Sequence, residues 1–353
     1  MGVTDHAALS TAAPNLSAAE VRALARGLYG IDGSVRSLAG ERDQNCRIET
    51  PDGRRYVLKI SNPRERVEVV DFQVAALEHI AQVSPDLPVP RVVRTLGGGA
   101  RGTVALAAGM HAMVRMLTYL DGIQIRETVR TAAQRRSMGR ELARLDRALQ
   151  GFSHPGATND LLWNVSAAHR LAGKIDGIVN SHRRALARVF MARFTDHVLP
   201  RLDSLRSQVI HNDYHFYNVL VADDDRERIV GIIDFGDMLH APRVGEVGTA
   251  AAFHMDGNAA DPFEGPAQFV AAYHAALPLK ESEQEVVADL MATRHLITAL
   301  ISEWRSARYP DNRPYIMRHN PAAWEALSLM ADLSRAQMRD RLLAGIATPG
   351  VTP

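Results

Sequence analysis

Between Val209 and Asp237 the chain reads VIHNDYHFYNVLV, a short polar turn, and then IVGIIDFGD. No other stretch limits its fold so tightly. Val209-Ile210, Val219-Leu220-Val221 and the run from Ile229 to Ile233 are short, apolar and rich in β-branched residues, the pattern of buried strands. Asp223-Asp224-Asp225 between the last two reads as a turn. Polar residues stand where the apolar runs stop: Asp213, then Asn218, then Asp234. A fold that honours this pattern sets one carboxylate in a loop after a strand, an amide at the start of the next strand and a second carboxylate at the end of a third. Isolated, such residues do no more than cap turns. Together they supply hard oxygen ligands for Mg²⁺ from Asn218 and Asp234. Asp213 is then placed to orient a hydroxyl and accept its proton. These are the parts that phosphoryl transfer from a nucleoside triphosphate requires.

His211 and His215, four apart, invite a zinc reading. That geometry needs a helix. The Asn-Asp-Tyr between them favours a loop and no third ligand follows, so His211 is expected to hydrogen-bond the loop backbone instead. Asp237, Arg243 and Glu246 follow closely and are expected to serve as scaffold ion pairs.

The other half of a triphosphate site is expected further upstream. Lys59 sits inside RYVLKI, an otherwise apolar strand. On an edge strand it faces solvent; on a central strand it reaches phosphates, and then needs an acidic partner. Asp71 in the next helix is the first candidate, with Glu68 and Gln73 as rivals. Gly40 opens the segment GERDQN, which is either a plain hairpin turn or a loop whose N–H groups cover phosphates. By position alone, Met116 and Leu117 are candidates to present backbone groups to a base edge.

Texture divides the chain. Ser17 and Glu20 form a capping box ahead of Val21, Leu24 and Leu28 at helical spacing. SVRSLAG, NCRIET and RYVLKI then read as a three-stranded antiparallel meander with a turn at Pro51-Asp52-Gly53. Pro63 opens a helix expected over 64–83, and further strand candidates follow as far as HAMVRML. Past residue 117 the pattern is mainly helical, with helices expected over 124–150, 165–180 and 183–205 and strands only near 209–233. The expected class is α+β: a small β-rich lobe over 1–116, with 1–15 a tail, and a larger helical lobe over 117–353. Ligands commonly bind between lobes.

Composition narrows the partners. A net charge of +1 gives no reason to expect nucleic acid. No run approaches the roughly 18 apolar residues of a membrane span. The single cysteine, Cys46, excludes an intrachain disulfide and fits a reducing, cytoplasmic compartment. Trp163, Asn164, Arg305, Tyr309 and Tyr315 are the side chains the helical lobe offers for binding a substrate.

ERDQN at 41–45, YVLKI at 56–60, VVDFQ at 69–73, VRMLTYLDG at 114–122, LARLDRAL at 142–149, FSHPG at 152–156, LWN at 162–164, GIIDFGDM at 231–238 and YPDNRPYI at 309–316 lie in collinear order over almost the whole chain. With the H-x-D-x4-N loop they resemble the aminoglycoside phosphotransferase family and, within it, the hydroxylysine kinases. The resemblance implies a protein-kinase-like fold and transfer of a γ-phosphoryl group to a small-molecule hydroxyl, from ATP or GTP with Mg²⁺. It implies Asp213 as catalytic base, Asn218 and Asp234 as metal ligands, Lys59 on the triphosphate and Asp71 paired with Lys59 where such enzymes carry Glu. Hydroxylysine is the leading acceptor, ahead of homoserine, choline-like amino alcohols and aminoglycosides. A nucleotide-binding pseudokinase with a regulatory role is the alternative from another class. Where such enzymes have Gly between His and Asp, this chain has Asn212, which tolerates positive φ better than other non-glycine residues.

Overall fold

The computed structural model describes residues 13–40, 42–106 and 109–346. Most of the expected N-terminal tail, and Glu41 of the expected phosphate loop, lie outside the described residues. The chain forms two compact units. The first runs to Gly122 and takes in Phe152–Asn159 and Val230–Ile233; the second holds the remainder. The expected boundary at 116/117 falls within a strand.

In the first unit α1 (Ala18–Tyr29) starts at the predicted capping box: the Ser17 N–H donates to Glu20 Oε2 at 2.7 Å and the Glu20 N–H to Ser17 Oγ at 3.3 Å. Strands β1 (Ser34–Leu38), β2 (Gln44–Glu49) and β3 (Arg55–Ile60) form the expected antiparallel meander. Helix α2 runs Val67–Val83. It starts later than Pro63 suggests because a turn on Asn62 occupies the intervening residues: Asn62 Oδ1 accepts from the Arg64 N–H and its carbonyl from the Glu65 N–H. Strands β4 (Val92–Val93) and β5 (Gly102–Ala105) both pair with β6 (His111–Thr118), which lies along the free side of β3. Strand β3 is therefore central. Its alternation buries Tyr56, Leu58 and Ile60 against Val21, Ala25 and Tyr29 of α1, with Ile48, Val114 and Met116. Lys59 is left on the opposite face.

The FSHPG segment belongs to this unit. Phe152 and His154 stack on Phe72 of α2 at 6.2 and 5.7 Å. Gly156 comes so close to α2 that a Cβ there would lie 2.1 Å from the Glu68 carbonyl oxygen.

The second unit begins with β7 (Ile123–Gln124), α3 (Ala132–Ala148) and α4 (Ser181–Arg193). The regular helix expected over 165–180 is a 3₁₀ segment, Val165–Gly177, with a kink at Ala167. The one expected over 183–205 gives way after Arg193 to a π turn and then to a 3₁₀ turn carrying Pro200, which has no N–H to extend a helix. Next come β8 (Ser207–Ile210), β9 (Val219–Val221) and β11 (Leu239–Pro242); β10 (Ile229–Ile232), between the last two in sequence, belongs almost wholly to the first unit. Strand β8 pairs with β11 and β7 with β9, both antiparallel. The helices α5 (Arg243–Ala252), α6 (Glu264–Ala276), α7 (Glu281–Gln284), α8 (Val287–Arg308), α9 (Arg313–Ile316), α10 (Asn320–Ala331) and α11 (Arg335–Leu342) complete it. Helix α5 is buried along its whole length and packs on α8, as α6 packs on α3. Among the described residues no helix is long and apolar enough to cross a membrane.

Candidate active site

The loop between β8 and β9 carries the first two residues of the sequence pattern, and its backbone is held from several sides. His211 is fully buried against the Phe235 ring at 4.8 Å, and its Nδ1 accepts the Asp213 N–H at 3.3 Å. Asn212 adopts φ +66°, the left-handed region, and its N–H donates to both carboxylate oxygens of Glu246 at 3.0 Å. Tyr214, also fully buried, ties the loop to α3 through its hydroxyl, which donates to the Met138 carbonyl at 3.1 Å. The sequence reading of His211 as a backbone anchor and Glu246 as scaffold agrees with these contacts. Arg243 likewise pairs with the buried Glu283 at 3.7 Å.

So held, the loop presents Asp213 to a fixed set of donors. Asn218 Nδ2 donates to the Asp213 carbonyl and to Asp213 Oδ2, each at 2.9 Å. His215 Nδ1 accepts the Tyr217 N–H, which places the ring proton on Nε2, 3.3 Å from Asp213 Oδ2. Nothing in the sequence had given His215 a role; its place beside the carboxylate does. Arg294 of α8 closes the set, with Nη2 3.2 Å from Asp213 Oδ1. Burial alone would push the Asp213 carboxyl up. His215, Arg294 and His211 outweigh it and hold the group well below the usual carboxylate range.

Asp234, at the end of β10, also lies in the left-handed region, with φ +64° and ψ +71°. Among the described residues Asn212 and Asp234, itself one of the expected metal ligands, are the non-glycine residues at positive φ, and they mark backbone held against its preference. Burial lowers the Arg294 pKa from its ordinary value, and the charges of Asp213 and Asp237 act against that shift.

Arg294 is what the sequence reading missed. It lies 81 residues from Asp213. Its one sequence signal is a charge inside the apolar helical run LMATRHLITALI. It is 5% exposed, with its guanidinium 5.2 Å from the Trp163 ring centre and 5.4 Å from that of Phe253. It also lines a cavity of about 490 Å³ whose walls include Arg130, Phe216, Tyr217, Asp256 and His319. None of the five expected substrate residues is in that wall. Trp163 stacks on Arg294, and Asn164 Oδ1 caps the following 3₁₀ segment through the Ser166 N–H. Arg305 is buried in α8, Tyr309 ends that helix, and Tyr315 lies under the Arg318 guanidinium.

In the first unit Lys59 occupies the central strand that its phosphate role requires. Asp71 is held by a partner the sequence reading did not offer: Arg101 donates Nε to Oδ1 at 2.5 Å and Nη2 to Oδ2 at 3.2 Å, a two-pronged pair. Gly40 sits where the loop folds on itself, since a Cβ there would lie 2.4 Å from the Asp43 carbonyl oxygen. Met116 and Leu117 lie within β6, in register with β3 on one side and β4 on the other.

The family model of the phosphotransferase enzyme family matches residues 34–286. Hydroxylysine kinase of Mus musculus is 25% identical over 354 residues, covering 94% of this chain and 93% of the relative. Hydroxylysine kinase of Danio rerio is 25% identical over 340 residues, covering 93% and 95%. Among solved structures, an amicoumacin kinase in complex with AMP-PNP, Ca²⁺ and amicoumacin superposes with a TM-score of 0.67 at 14% identity, covering 92% of this chain and 97% of that one. A microcompartment-associated aminopropanol kinase does so with 0.70 at 18% identity, covering 89% and 97%. The fold is protein-kinase-like, with a β-rich N-lobe and a mainly helical C-lobe.

Proposed function

The chain belongs to the phosphotransferase enzyme family, and on that premise we propose that it transfers the γ-phosphoryl group of ATP or GTP to the hydroxyl of a hydroxy-amino-acid or amino alcohol, 5-hydroxylysine first among them. The observation that carries this reading is the joint hold of Asn218 on the Asp213 carbonyl and carboxylate at 2.9 Å. It fixes the amide so that its nitrogen serves Asp213 and leaves its oxygen as a metal ligand. Likeness to hydroxylysine kinases over more than nine-tenths of the chain supports the choice of acceptor.

Asp213 orients the acceptor hydroxyl and takes its proton as the new O–P bond forms. Asn218 Oδ1 and the Asp234 carboxylate, hard oxygens on either side of β9 and β10, fit Mg²⁺. Held by these two residues, Mg²⁺ would keep positions open for phosphate oxygens of a bound nucleotide. Bound there, the ion offsets phosphate charge. Lys59 steadies the triphosphate and Gly40 is assigned to the loop over it; the expected base contact by the Met116 and Leu117 backbone is not retained, because β3 and β4 flank both residues. Most of the rate enhancement comes from positioning and electrostatics.

The test is a phosphoryl-transfer assay over a panel of 5-hydroxylysine, homoserine, choline, aminopropanol and an aminoglycoside, each with ATP and with GTP. Transfer to 5-hydroxylysine above the others is the expected result. Nucleotide binding with no transfer to any acceptor contradicts the reading and makes the chain a pseudokinase.

A further inference from the structure

Three donors converge on the Asp213 carboxylate. Oδ2 receives Asn218 Nδ2 at 2.9 Å and His215 Nε2 at 3.3 Å, and Oδ1 receives Arg294 Nη2 at 3.2 Å. Each carboxylate oxygen can accept two hydrogen bonds, so Oδ2 is filled and Oδ1 keeps one place, beside Arg294, where a hydroxyl can approach. Asn218 is tied a second time, to the Asp213 carbonyl. His215 is fixed at its other ring nitrogen by the Tyr217 N–H and packs on Phe253 with ring centres 4.6 Å apart.

Arg294 differs from both. It forms part of the cavity wall, and Asp213, Asn218 and His215 do not. Its Nε is buried with no hydrogen-bond partner among the described residues. Its second terminal nitrogen reaches the Trp163 carbonyl at 3.4 Å, and the two aromatic rings beside it guide the guanidinium without bonding its N–H groups. The cavity carries charge of both signs. Asp256 and Glu325 in its wall suit ammonium groups. Arg126 is already bonded to Gln124 and Glu127, and Arg130 lies over Phe216 in the field of Asp256. A zwitterion in this cavity finds partners for its ammonium groups and one buried guanidinium with an unused N–H for its carboxylate.

We propose, on the reading of the acceptor as a hydroxy-amino-acid, that Arg294 is a specificity latch. It holds Asp213 Oδ1 in the free protein and shifts to the carboxylate of an acceptor bound in the cavity, which leaves all of Oδ1 to the acceptor hydroxyl. One carboxylate replaces another on the same cation, and Asp213 keeps the Asn218 and His215 donors on Oδ2. An amino alcohol without a carboxylate binds but leaves the latch closed, and the selectivity is expressed in kcat as well as in KM.

The experiment compares 5-hydroxylysine with its decarboxylated counterpart, the amino alcohol of the same chain, in the wild-type protein and in Arg294→Lys. Wild-type kcat/KM should favour the carboxylated acceptor by roughly 30-fold or more, the scale of a buried charge pair, with kcat contributing to the ratio. Lysine keeps the positive charge beside Asp213 but lacks the planar fork. The variant should lose most of the ratio between the two acceptors, chiefly through its rate on 5-hydroxylysine. Equal kcat and KM for the two acceptors in the wild type overturn the latch and leave the kinase reading standing, because transfer has then occurred. A loss in Arg294→Lys that is the same for both acceptors also overturns it and makes Arg294 a plain support for Asp213. No transfer to either acceptor overturns the kinase reading and the latch together.

Discussion

Asn212 shows how much one residue settles in this loop. Its φ of +66° lies in the left-handed region, and its N–H must reach Glu246. Asn212→Gly should fold with unchanged or slightly higher stability. Asn212→Val, which keeps the N–H but is β-branched, should cost about 1–2 kcal/mol in chemical denaturation; equal stability of the two would remove backbone strain from the account. At Asp234 the chemistry is tested directly. Asp234→Ala should abolish the Mg²⁺-dependent part of nucleotide binding in calorimetric titrations run with and without the metal, and an unchanged Mg²⁺ dependence would take Asp234 out of the metal site. The left-handed backbone at Asn212 was readable from sequence, because similar enzymes carry glycine at that position. His215 and Arg294 were not. Their partner is a carboxylate whose surroundings are set by tertiary packing, and Arg294 reaches it from α8, 81 residues further along.

At the scale of elements, the signals that survived into the structure are the local ones. The capping box at Ser17 and Glu20, the β1–β2–β3 meander and the β9–β10 turn at 223–225 follow from residues adjacent in sequence. The helical readings that fell short, over 165–180 and 183–205, did so at Ala167 and after Arg193, where the backbone switches to 3₁₀ and π geometry. Apolar residues three apart share a face in both geometries, so that spacing does not separate a 3₁₀ segment from an α-helix. The FSHPG segment makes a sharper case. Its glycine serves a long-range approach to α2, which no local rule reveals. Gly156→Ala should cost roughly 1–3 kcal/mol, the range for overpacking a close contact, as read by the urea midpoint. A midpoint unchanged from wild type would show that α2 and this segment separate easily.

For the whole molecule, the second unit has a buried acid network behind its active loop. Asp146 is fully buried, accepts the Tyr273 hydroxyl at 2.5 Å and is pushed up to about 7 by that burial. Glu246 is raised by burial and by the charge of Asp146. A carboxyl raised from 3.8 to about 7 in the native state binds more protons there than in the unfolded chain throughout that window. Stability therefore falls as pH rises from about 4 to about 7. Asp146→Asn should flatten that slope in thermal melts taken across the window, and an unaltered slope would assign it elsewhere. The two-lobed α+β class and the family were legible in the sequence, because the β-rich and helical textures differ and the polar pattern of 209–237 is dense. The cavity beside Arg294 was not, since its walls come from residues between 126 and 329 with no shared motif. The central claim is that Asp213 serves as the base in phosphoryl transfer to a small-molecule hydroxyl. Labelled γ-phosphate transfer to 5-hydroxylysine, measured side by side in the wild type and in Asp213→Asn, tests it most directly. A fall in kcat of roughly 10²–10⁴-fold with nucleotide affinity retained is the predicted result, and near-normal turnover by the variant would contradict it.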